Sequence, residues 1–129
     1  MSIISRVLLL TRESVFPQAV KFYTRALGLP VRYATDSWAE FGSAPVPIVL
    51  KTSDDLAQTT TGYSPFLSFD VPDLNASVQA ALQLGGALDG PIKYPPHGKA
   101  AVLRAPCGHM LSLYEGATAT DEPPPVPGA

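Results

Sequence analysis

Short blocks of apolar residues run along most of this chain, and glycine, proline and aspartate stand between them. Residues 3–11, rich in leucine and β-branched side chains, read as a buried strand. Ser14 then offers an N-cap and Pro17 falls in a first helical turn, where its missing N–H does no harm. Phe16, Ala19, Val20, Tyr23 and Leu27 follow at helical spacing, and Gly28 supplies the stop. Short strands are expected over 31–34, 38–41 and 46–51, with turns at Asp36-Ser37 and at residues 42–45 between them.

Residues 53–63 are polar and threonine-rich, and they read as a surface linker. The pattern then restarts. A strand over 66–71 leads to a helix opened by Pro72-Asp73, with Leu74, Val78, Ala81 and Leu82 as its buried stripe and Gly85-Gly86 as its end. A proline-rich passage over 91–97 comes next, then strands over 100–104 and 110–114 joined by a turn at Pro106-Cys107-Gly108. Arg6 aligns with Phe66 and Glu13 with Asp73 at one constant offset, so the halves repeat a βαβββ order in pattern though not in letters. The expectation is one α+β domain over 1–116. Module one covers about 1–52, a linker 53–64 and module two about 65–116. A Pro-rich disordered tail is expected over 117–129.

Composition narrows the function classes. A chain of 129 residues with 46% hydrophobic and 16% charged residues has ample material for a packed core. A net charge of −2 gives no basic field for nucleic acid. The apolar run at Val7 to Leu10 is too short to span a bilayer, and it lacks the length and cleavage site of a secretory signal. The single cysteine, Cys107, has no internal disulfide partner, which fits a reducing, cytoplasmic setting. Phosphate loops, the GxSxG turn and CxxC pairs are all missing from the sequence.

Two stretches carry a family resemblance. Phe22-Tyr23-Thr24-Arg25-Ala26-Leu27-Gly28-Leu29 resembles the "FY…LG" helix ending of the vicinal-oxygen-chelate superfamily. Ala105-Pro106-Cys107-Gly108-His109 resembles the "DPDGN" turn before that superfamily's last strand. The superfamily includes glyoxalase I, extradiol dioxygenases, and fosfomycin- and bleomycin-resistance proteins. The resemblance implies two βαβββ modules forming curved mixed sheets around a cleft, and a homodimer. Metal-dependent members place ligands on the first and last strands of each module. Those positions fall here on Arg6, Phe66 and Ser112, with the fourth near Leu50 or Lys51. A guanidinium, a phenyl ring and a hydroxyl are poor ligands for a divalent ion, so no metal or other cofactor is expected.

The leading expectation is therefore a small-molecule binding protein of the glyoxalase/bleomycin-resistance kind. Its ligand-binding residues would be Arg6, Trp38, Phe66, Ser68, Tyr94, Ser112 and Tyr114. Aromatic walls would hold an organic ligand, and Arg6, Ser68 or Ser112 would orient its polar groups. One alternative is a metal-dependent lyase, isomerase or dioxygenase of the glyoxalase type. Another is an interaction protein whose Pro-rich tail docks as a polyproline II segment. Cys107 and His109 suggest a nucleophile with its base, but no third orienting residue is evident and a tight turn with incidental polar side chains is expected. Glu40 is expected at an exposed strand edge.

Overall fold

Proline sets where the first strand begins. β1 (Val7–Thr11) pairs in parallel with β4 (Ile48–Thr52) from Val7↔Ile48 to Thr11↔Thr52. The Val7 amide reaches back to the Pro47 carbonyl, but Pro47 has no N–H to return. The ladder stops there, so Ile3 and Ile4, expected within the strand, lie outside it at 85% and 72% exposure. For the same reason β4 starts at Ile48 and not at Val46. The computed structural model describes residues 3–42, 45–60, 62 and 65–116. The Pro-rich tail expected over 117–129 lies outside them.

From β1 a 3-10 turn, Glu13–Val15, feeds α1 (Phe16–Lys21), which continues as a π-helical turn over Phe22–Ala26. Ser14 is not the cap. The helix opens from Val15 without a side-chain cap, Pro17 sits in its first turn, and Phe16 drops into the core. Beyond Gly28 come β2 (Val31–Ala34) and β3 (Trp38–Phe41), giving the sheet order β1-β4-β3-β2. Strand β3 is therefore interior, which corrects the edge position expected for Glu40.

The supposed linker contains a short helix, α2 (Leu56–Thr59), whose N-terminus is capped by the Asp55 carboxylate accepting from the Ala57 amide at 2.9 Å. The second module then repeats the wiring. It contains β5 (Phe66–Asp70), α3 (Leu74–Gln83), β6 (Ala87–Leu88), β7 (Gly98–Arg104) and β8 (Met110–Gly116), in the order β5-β8-β7-β6. In each sheet the first and last strands are parallel and the rest antiparallel. Asp73 caps α3 through the Ala76 amide at 3.1 Å, and Glu115 accepts from the Leu74 amide at 2.7 Å, fastening the end of β8 to the start of α3. Leu74, Val78 and Ala81 are buried as expected, but Leu82 is partly exposed.

One continuous core joins the modules through their helical layers. Leu9, Phe22, Tyr23, Phe41 and Leu50 come from the first module and Leu74, Val78, Leu103, Leu111 and Leu113 from the second. The modules approach closely at Gly86. A Cβ there would stand 2.7 Å from the Phe22 ring and 2.9 Å from the Ala81 carbonyl, so only glycine fits. Because side chains alternate across a strand, burying one face of each sheet against this layer leaves the other face open.

Candidate functional site

Register assigns the open faces. On the first sheet Leu8 pairs with Val49, Val49 with Glu40, and Lys51 with both Leu10 and Trp38. The odd positions Leu9 and Thr11 face the core, so this second set lines the open face. Trp38 donates its indole N–H to Glu40 Oε1 at 3.2 Å, and the carboxylate is thereby committed to a local contact. On the second sheet Phe66↔Met110, Ser68↔Ser112 and Asp70↔Tyr114 pair across β5 and β8, while Val102 and Ala100 face Ser112 and Tyr114 from β7. This face holds four of the seven residues expected at the site: Phe66, Ser68, Ser112 and Tyr114.

A cavity of ≈ 90 Å³ sits on that second face, lined by Phe66, Asp89, Pro91, Lys93, Val102 and Ser112 above small alanines. The lining is mostly apolar. Ser112 is only 5% exposed, and no hydrogen bond of its hydroxyl to another described residue exists. The oxygen still has surface to offer, since no buried side-chain polar atom lacks a partner among the described residues. It therefore opens into the cavity. The arrangement can grip a small apolar group and offer it one hydrogen bond from Ser112, with the Asp89 carboxylate and the Lys93 ammonium also in the lining.

The other expected residues are distributed differently. Tyr114 is 1% exposed, and its hydroxyl donates to the His97 carbonyl at 3.1 Å, so it holds the 94–98 turn beneath the site and lies outside the cavity lining. Ser68 is exposed beside Ser112. Tyr94, 72% exposed, does not line the cavity. Trp38 belongs to the open face of the first sheet, and Arg6 is exposed just ahead of β1.

Asp89, Pro91 and Lys93 were not foreseen. After β6 the chain keeps running beside β7, with the Asp89 amide bonded to the Val102 carbonyl and Lys93 exchanging both bonds with Ala100. Positions 89, 91 and 93 thus line the cavity while Ile92 packs against the core. The period-two signal was there, hidden by Gly90 and Pro91. A wider depression of ≈ 680 Å³ lies beyond the ends of β1 and β4. It mixes Arg12 and Lys51 with Glu13 and Asp54, and has neither an apolar floor nor a converging set of one charge.

Register also settles the fourth position in the ligand comparison. Ser112 lies opposite Ser68 as Val49 lies opposite Leu8, so the counterpart of Ser112 is Val49, in place of the expected Leu50 or Lys51. Arg6, Val49, Phe66 and Ser112 together present one hydroxyl oxygen and no imidazole or carboxylate, which does not fit a divalent ion. Among the described residues no three of histidine, cysteine, aspartate or glutamate are grouped as metal ligands.

Cys107 and His109 do meet. Sγ and Nδ1 are 3.0 Å apart and both side chains are buried, with Tyr23 of the first module adjoining the thiol. Burial raises the thiol's pKa, against a smaller lowering by backbone and Tyr23 hydrogen bonds, and burial lowers that of His109. Burial, with Cys107 beside it, also raises Tyr23. Both partners are therefore neutral near pH 7, and the imidazole tautomer sets which of them donates. A nucleophile needs the opposite shift and access to substrate. This is an internal hydrogen bond of the turn.

Residues 11–114 match the family model described as a glyoxalase-like domain. No curated protein matches the sequence. Solved structures align over most of the chain. A glyoxalase-related enzyme from Fulvimarina pelagi superposes with a TM-score of 0.72 at 16% identity, covering 90% of this chain and 89% of its own. A glyoxalase/bleomycin resistance protein/dioxygenase family enzyme from Burkholderia phytofirmans PsJN gives 0.71 at 20%, covering 89% and 99%. TnmS3, an antibiotic binding protein from Streptomyces sp. CB03234, gives 0.64 at 20%, covering 90% and 97%. At these identities the superpositions establish the fold.

Proposed function

Because the chain belongs to the glyoxalase-like domain family of the vicinal-oxygen-chelate superfamily, we propose that it binds a small organic molecule on the open face of its second sheet without the family's metal ion. The observation that carries this reading is the cavity at Phe66 and Ser112. Two positions that hold ligands in metal-dependent members here form the wall and base of a mostly apolar slot. A neutral hydroxyl in such a slot can orient an organic group, but it offers no charge to a cation. That TnmS3, on the same fold, is an antibiotic binding protein supports binding as a sufficient role for such a scaffold.

The cleft is completed in a homodimer. β1 and β5 lie at sheet edges, and Leu8 and Phe66 are exposed large apolar side chains on the open faces. Apposing the first sheet of one copy to the second sheet of its partner would bury them and enclose the ligand. Native mass spectrometry on protein taken gently from its source tests the whole reading. The expected result is a dimer carrying a reproducible organic mass and no stoichiometric zinc, nickel or iron. Near-stoichiometric metal would overturn it.

A further inference from the structure

We infer that the group recognised at the base of this cavity is a compact, uncharged branch ending in a single hydroxyl or carbonyl oxygen. This rests on the binding role just proposed and names the ligand class. Three observations carry it. The first is size. A closed apolar cavity that accepts benzene is about 150 Å³, so a slot of ≈ 90 Å³ takes the edge of one ring or a short branch while the rest of the ligand lies over the open sheet. The second is the lining. Phe66, Pro91, Val102 and the alanines surround the entering group with carbon, where an ionised tip would lose its hydration without a partner. The third is Ser112, whose nearly buried hydroxyl is turned to the cavity and has no partner among the described residues. Asp89 and Lys93 also line the slot but are exposed. Ser112 is the one polar side chain of the lining that is buried, so selection at the base falls to shape and to its hydroxyl.

A hydroxyl can both donate and accept, so Ser112 can pair with either oxygen type. One neutral hydrogen bond between buried partners corresponds to about a threefold to tenfold difference in affinity. Titrating isotope-labelled full-length protein with phenol, toluene and benzoate, and following the amide signals of Val102, Leu111 and Leu113, reads this directly. Phenol should bind about threefold to tenfold more tightly than toluene or benzoate. Ser112→Ala should erase the advantage of phenol while keeping toluene binding, and Ser112→Val, which fills the slot, should weaken both. The spectra report at once whether each variant is folded. Toluene matching phenol, phenol keeping its advantage in Ser112→Ala, or benzoate binding best would overturn the inference, the last by placing recognition on Lys93. So would the absence of binding by all three probes. An organic mass found by native mass spectrometry would still leave the broader binding role standing in each of these cases.

Discussion

The turn at residues 105–109 shows how much two side chains gain or lose by burial. In the sequence, Cys107 and His109 were polar letters around a glycine, and nothing in the spacing placed Tyr23 of the first module against them. Only the packing of the two modules excludes water there, and exclusion of water decides the chemistry. Since His109 is lowered from an ordinary value of ~6.5, the unfolded chain takes up the proton first as pH falls. Stability present above about pH 6.5 is then lost progressively below it. Cys107 is shifted upward, so the unfolded chain ionises first as pH rises past ~8.5, and stability falls on that side too. The melting temperature should form a plateau between these limits, and His109→Asn should flatten the acid slope whatever it does to the plateau. Thermal melts from pH 5 to 10 check both. Cys107 should react with a disulfide reagent only as the protein unfolds, and fast labelling of the native protein would refute its burial.

Elements with strong local signals were legible from sequence, and those fixed by neighbours were not. Strands β1 to β5, β7 and β8 announced themselves through β-branched or alternating apolar residues between turn formers. Helix α3 did so through Asp73 and the stripe Leu74, Val78 and Ala81. The two-residue β6 and one-turn α2 have too few residues for any period to show, and the cavity-lining run 89–93 owes its extended course to bonds from β7. Where β1 begins depended on Pro47, a residue 40 positions away along the ladder pairing. Helix ends are testable at this scale. Asp73→Ala removes the α3 cap and should cost about 1 kcal/mol in denaturant unfolding. Gly86→Ala should cost more, about 1–3 kcal/mol, because the Phe22 ring and the Ala81 carbonyl must both give way. If Gly86→Ala proves as mild as an exposed substitution, the inter-module contact at that glycine is looser than drawn.

At the scale of the whole molecule, a single chain is left with two open sheets. The duplicated pattern made the two modules readable in advance, but which residues share a cleft depends on how sheets are apposed, and a single chain's sequence carries no local signal for that. Leu8, at 45% exposure, lies on the first sheet, and Phe66, at 46%, on the second. A free monomer would keep both in contact with water, whereas a stable dimer interface of the usual extent, roughly 1,600 Å² in total, has room to cover them. Leu8→Asp places a charge on the first open face without touching the second sheet or its cavity. In sedimentation runs the wild-type chain should be dimeric and Leu8→Asp largely monomeric. The melting temperature of the wild type should rise with protein concentration while that of the variant does not. The decisive readout is the ligand. If the first sheet of a partner closes the cavity at Ser112, Leu8→Asp must also weaken retention of the organic ligand, although residue 8 never lines that cavity within its own chain. A variant that loses the dimer yet holds the ligand undiminished would mean that the second sheet binds unaided and that the first serves only assembly.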